Sequence, residues 1–212
     1  MQKVTVGCDI GGTHISSALI SADSSSTDTE NYLSCNIDSE ADAESILNGW
    51  TRNLDQTMRL LAGNELAGIG VSMPGPFDYD GGVSLIKGVE KFESLYEVNI
   101  RNEFKQRLDL DPECQVIFRN DAVCFAMGEW FTGAGKGFDR ILAITLGTGF
   151  GTCFLSDGFQ VTGTEGIPDD GFLYHKPWKD GIASEQHHPA IQNSRFHADR
   201  TAGRDRRHRH SG

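Results

Sequence analysis

The chain has 212 residues, a net charge of −11, 38% hydrophobic residues and 23% charged residues. That balance fits a globular protein of one large or two small domains better than a disordered chain. No run of about 18 apolar residues occurs and no basic stretch followed by an apolar one opens the chain, so neither a membrane span nor a signal peptide is expected. Residues 184–212 carry six Arg against three acids, which leaves −14 on the rest; so acidic a body argues against nucleic acid as the main partner. Cys8, Cys35, Cys114, Cys124 and Cys153 are scattered, odd in number and without a C-x-x-C pair. They read as buried free thiols of a reducing cytoplasm.

The first segment, "KVTVGCDI", alternates and is β-branched, and "HISSALIS" follows after a Gly-Gly turn, so the two predict a hairpin. "ENYLSCNID" predicts a third antiparallel strand. From Ser39, read as an N-cap, the apolar positions Ile46, Leu47, Trp50, Leu54, Met58 and Leu61 recur at helical spacing until Gly63. "LAGIGVSM" predicts a buried strand, "PGPFDYDGG" a turn-rich loop, "LYEVNIRNEFKQRL" a helix and "CQVIFR" a strand. "NDAVCFAMGEWFTGAG" predicts a helix starting at Asn120 or Asp121. "DRILAITL" and "GTCFLSDG" predict strands joined by "GTGF". Mixed strands and helices in this order define an α/β class. "VTVGCDIGGTHISSALI" and "ILAITLGTGFGTCFL" echo one another as strand, glycine turn with Thr, strand, which suggests two similar lobes.

The turn Gly11–Gly12–Thr13 exposes backbone N–H groups and a hydroxyl, as a phosphate site requires. Asp9 just before it could hold Mg²⁺ through water. An ordinary hairpin turn explains the same residues. No G-x-x-x-x-G-K-[ST] loop is present, and a Rossmann turn needs a helix where "HISSALIS" reads as a strand. "GAGKG" and "GTGFG" are too tight for G-x-G-x-x-G. Asp121 falls where a strand gives way to a helix. There it reads either as a helix cap or as a general base at the carboxyl end of a sheet strand, taking the proton of an alcohol that attacks a phosphoryl group.

Four segments taken together, "DIGGTH", "GVSMPGPFD", "RNDA" and "LGTGFGTCFL", resemble in order and spacing the ROK family of sugar kinases and repressors, over about residues 3 to 183. The resemblance implies an actin-like (ribonuclease H-like) two-lobed α/β fold and ATP- and Mg-dependent phosphorylation of a hexose. It implies that Asp121 is the catalytic base and that Asn120 binds sugar hydroxyls. Pro74 and Gly75 would shape the sugar side. Gly11, Gly12 and Thr13 would face the transferring phosphates, with Gly147, Thr148 and Gly149 cradling them from the other lobe, and Asp9 would sit near the metal. The alternatives are a non-catalytic sugar-binding or regulatory ROK protein and a truncated fragment in which the kinase activity is lost; because the chain starts at the phosphate strand, without the helix-turn-helix that the family's repressors carry, DNA binding is not expected.

Many family members have a Glu-x-Gly-His segment and a cysteine-rich zinc site after the second phosphate motif. Here "GTEGIPDDGFLYHKPWKDGIA" supplies Glu165, read as a sugar ligand, and His175, read as a surface or packing residue, with no later cysteine. No structural zinc is expected. The resemblance divides the chain into a sugar and phosphate lobe at residues 1–118 and the start of an ATPase lobe at 119–183. After Ala183 apolar periodicity stops and five of the seven histidines appear. Residues 184–212 read as a disordered, aberrant basic tail, as after a shifted reading frame. The second lobe is therefore expected to be incomplete, with an uncovered sheet whose free edges favour association into homo-oligomers or aggregates.

Overall fold

The computed structural model describes residues 2–21, 32–146, 150–164, 166–169 and 171–173. The chain divides into two compact units, Met1–Phe125 and Ala126–Gly212.

In the first unit, β1 (Lys3–Ile10), β2 (His14–Ser21), β3 (Leu33–Asn36), β4 (Glu65–Met73) and β7 (Gln115–Asn120) form one sheet in the order β3-β2-β1-β4-β7. Strands β1 and β2 make the predicted hairpin, and β3 pairs antiparallel with β2. β4 lies parallel to β1, and β7 parallel to β4. Val4, Val6, Cys8 and Ile10 of β1 alternate inward, as the sequence period of two requires.

Helices α1 (Ala43–Met58) and α2 (Ile100–Arg107) share the core with this sheet. Trp50 is its centre, edge-on to Phe92 at 5.2 Å and to Phe104 at 6.3 Å. Behind Trp50, Ser17 of β2 donates to Asn53 Oδ1 at 2.6 Å and lies 2.6 Å from the Thr57 hydroxyl, so a buried polar triad ties β2 to α1.

Several local expectations are corrected. The N-cap of α1 is Asp42, which accepts from the Ser45 N–H at 2.9 Å, and not Ser39; the Ser39 carbonyl instead accepts from the Phe92 N–H at 2.7 Å. Past α1 a 3₁₀ turn (Arg59–Leu61) ends at Ala62 and Gly63, both with positive φ. The helix expected from Leu95 starts only at Ile100, because Glu97 has φ +63° and Asn99 caps by accepting from the Asn102 N–H. The loop after β4 contains a short strand, β5 (Phe77–Asp78), paired with β6 (Val83–Ser84). All five cysteines are free, but Cys8 and Cys153 alone are buried; Cys35 is exposed on the short strand β3.

Helix α3 (Asp121–Phe131) begins in the first unit, immediately after β7. In the second unit, β8 (Arg140–Leu146) pairs antiparallel with β9 (Phe150–Ser156), which pairs with a short strand not anticipated from the sequence, β10 (Phe159–Gln160). Leu142, Ile144, Leu146 and Phe150 are exposed on this sheet. No helix of the described residues is long and apolar enough to cross a membrane.

Candidate active site

Three parallel strands end side by side. The register aligns Asp9 of β1 with Ser72 of β4, and Met73 of β4 with Asn120 of β7. The carboxyl ends of these strands therefore bring Asp9, the Pro74–Gly75 loop and Asn120–Asp121 to one edge of the sheet, the edge where open α/β sheets hold ligands.

Asp9 is exposed and accepts a 2.6 Å hydrogen bond from the Ser72 hydroxyl through Oδ1. Ser72 also lies near the Cys124 thiol, one helical turn beyond Asp121. Burial pushes that thiol up to about 11, with the charges of Asp9 and Asp121 adding to the rise.

Asp121 opens α3. Its Oδ1 accepts from the Ala122 N–H at 2.9 Å, and Asn120 Oδ1 accepts from the same N–H at 3.0 Å. Asn120 thus meets the N–H two residues on, as an N-cap does, while Asp121 is the first residue of the helix and accepts from the adjacent N–H. Loss of water around the Asp121 carboxyl raises its pKa from the ordinary value near 3.8, and the charge of Asp9 adds to the rise, while the Ala122 N–H and the Asn120 amide oppose it. The carboxylates of Asp9, on β1, and of Asp121, at the start of α3, therefore feel one another at this edge.

Asn120 Nδ2 donates to the Tyr79 hydroxyl at 3.2 Å, and that hydroxyl donates to the Met73 carbonyl at 3.1 Å. A Cβ on Gly75 would lie 3.2 Å from the same oxygen. Tyr79 thereby fixes the Pro74–Gly75 loop against Asn120, whose amide keeps a second N–H and a second lone pair for a ligand.

The turn Gly11–Gly12–Thr13 closes β1 onto β2, with the Gly11 N–H donating to the His14 carbonyl at 2.9 Å. Thr13 Oγ1 lies 3.3 Å from His14 Nδ1. Among the described residues, the N–H groups of Gly12 and Thr13 donate no hydrogen bond. Gly147, Thr148, Gly149, Glu165, His175 and the stretch 184–212 lie outside the described residues.

Sequence reasoning missed Ser72 and Tyr79. Both lie in or beside the quoted "GVSMPGPFD" segment, but only the strand register and the fold of the loop reveal their partners.

The ROK family model matches residues 5–175, and the chain belongs to the ROK family. It is 29% identical over 163 residues to a glucokinase of Thermotoga maritima, covering 76% of this chain and 47% of that protein. The ROK hexokinase of Thermus thermophilus superposes with a TM-score of 0.64 at 24% identity, over 82% of this chain and 53% of the other. A ROK family glucokinase of Streptomyces griseus, solved in complex with glucose and AMPPNP, superposes with a TM-score of 0.57 at 25% identity, over 76% and 47%. The fold is the actin-like α/β fold of these sugar kinases. The chain spans about half the length of the curated relatives it matches.

Proposed function

We propose that the protein transfers a phosphoryl group from ATP to a hydroxyl of a hexose, with Asp121 as general base. The carboxylate takes the proton of the attacking hydroxyl as the new O–P bond forms and the bond to the departing ADP oxygen breaks. One observation carries this reading: Asp121 stands at the end of β7 with its pKa raised by lost water and by the charge of Asp9, an acid that β1 delivers to the same edge. A raised pKa moves a carboxylate toward neutral pH, where proton acceptance in the transition state is more effective.

In this reading Asn120 holds sugar hydroxyls with its remaining amide valences, and Pro74 and Gly75 shape the sugar side, held by Tyr79. The turn Gly11–Gly12–Thr13 receives the transferring phosphate, with the N–H groups of Gly12 and Thr13 unbonded among the described residues. Gly147, Thr148 and Gly149 contribute further phosphate contacts, and Glu165 a sugar contact. Residues 1–118 form the sugar and phosphate lobe, and 119–183 open the ATPase lobe.

Asp9 suits Mg²⁺. A single exposed carboxylate, with one oxygen fixed by Ser72, together with phosphate oxygens and water is the oxygen-only set that Mg²⁺ takes. When bound, Mg²⁺ supplies positive charge to the phosphate oxygens. Asp9 would hold it through water, and Ser72 would keep Asp9 in place.

A coupled assay of ADP release from the 212-residue chain, with ATP, Mg²⁺ and a panel of hexoses, tests the proposal. Hexose-dependent turnover supports it. A hexose-dependent rise in melting temperature without turnover on any sugar favours the second reading, a sugar-binding or regulatory ROK protein. Neither response would remove both.

A further inference from the structure

Resting on the phosphoryl-transfer reading, we infer that Lys91 is a phosphate-binding residue of this site, delivered to the Gly11–Gly12–Thr13 turn by the loop between β6 and α2. The Lys91 side chain lies directly on that turn. A Cβ placed on Gly12 would meet Nζ at 2.8 Å, Cδ at 3.0 Å and Cε at 3.1 Å. Glycine at position 12 is what lets the lysine come so close.

Lys91 is half-buried, and among the described residues its ammonium makes no ion pair and no hydrogen bond. The nearby carboxylate of Glu93 is engaged elsewhere, accepting from the Val89 N–H at 2.8 Å and the Glu90 N–H at 3.4 Å. The other lysine of the loop, Lys87, stands over the Tyr96 ring at 4.5 Å. Among the described residues, Lys91 alone of the two brings an uncompensated positive charge to a turn with two unbonded backbone N–H groups. Those three donors form a set that an anion of phosphate type completes.

The loop is built to hold the lysine there. Glu90 and Phe92, on either side of it, have φ of +59° and +55°. Non-glycine residues in that region are strained, and such strain persists only where the surroundings enforce it. The enforcement is visible: Phe92 is fully buried against Trp50, and its N–H is bonded to the Ser39 carbonyl. The backbone is therefore bent away from its preferred conformation on both sides of Lys91, with Phe92 as the anchor.

The test is binding of inorganic tripolyphosphate to the full chain, measured by isothermal titration calorimetry. Lys91→Met is compared with Lys87→Met, which removes the same charge from the same loop, and with Lys91→Arg. The expected result is at least a tenfold weakening for Lys91→Met, wild-type affinity for Lys87→Met, and substantial recovery for Lys91→Arg, with circular dichroism unchanged. Equal affinities for Lys91→Met and Lys87→Met overturn the role of Lys91 and leave the kinase reading intact. Failure of the wild-type chain to bind tripolyphosphate overturns the role of Lys91 and the phosphate site together. Should Lys91→Met fail to fold, Lys91→Gln is read by the same comparison.

Discussion

The Ser72 hydroxyl donates to Asp9 Oδ1 at 2.6 Å across two neighbouring parallel strands. This bond fixes one oxygen of the acid proposed to serve Mg²⁺ and leaves the exposed side of the carboxylate toward the ligand edge. Supporting hydrogen bonds of this kind are worth about 10–100-fold in metal affinity or activity. Ser72→Ala is therefore expected to raise the Mg²⁺ concentration needed for half-maximal turnover by roughly tenfold, with little change in melting temperature. Ser72→Thr, which keeps the hydroxyl, is expected to stay close to wild type. A Mg²⁺ titration of all three proteins checks this.

Asp121 leaves a signature in stability as well as in chemistry. Its pKa is raised in the folded state, first by lost water and then by Asp9. The folded state therefore favours the protonated carboxyl. That favourable contribution is full below the ordinary value near 3.8 and is lost as the pH rises through the folded pKa. Asp121→Asn, which stays uncharged, is expected to match wild type in acid and to melt higher at neutral pH. Thermal melts from pH 3 to pH 7.5 measure the divergence.

The opposite sign applies to Glu44. Arg107 of α2 grips its carboxylate with two nitrogens, at 2.6 and 2.9 Å, and reaches Glu103 at 2.8 Å. The Arg107 hydrogen bonds hold the Glu44 pKa below its ordinary value near 4.5. The stabilisation is fully present above that value and fades as the pH falls through the lowered folded pKa. Glu44→Gln is expected to melt below wild type at pH 7 and to converge with it in acid. Because Glu44 is exposed, 1 M salt should shrink the gap.

Trp50 carries the core of the first unit, yet its buried Nε1 has no hydrogen-bond partner among the described residues. Trp50→Ala is expected to cost about 3–5 kcal/mol in urea denaturation. Trp50→Phe should cost much less, because it keeps most of the ring packing against Phe92 and Phe104 and removes an unsatisfied donor.

Much of this was readable in the sequence, and the misses have physical causes. Alternation marked β1, the Gly-Gly turn marked the hairpin into β2, and the spacing from Ile46 to Leu54 marked α1, because burying one face imposes its period on the chain. The residues Asp9, Gly11, Gly12, Thr13, Asn120 and Asp121 stood out because their elements end or turn at those points. Ser39 looked like a cap but spends its carbonyl on Phe92, a contact more than fifty residues away. The start of α2 was misplaced because the positive φ of Glu97 has no compositional marker such as glycine. Ser72 and Tyr79 were hidden by strand register and by loop conformation, and Lys91 by two left-handed residues that no local propensity announces.

The most direct test is the rate of ATP-dependent hexose phosphorylation by wild type and Asp121→Asn, with hexose binding followed in parallel. The wild-type chain should phosphorylate at least one hexose, and Asp121→Asn should bind that sugar while turning over about 10²–10⁴-fold more slowly. Equal turnover by the two proteins would contradict the account, because the proton of the attacking hydroxyl would then leave by a route that does not involve Asp121.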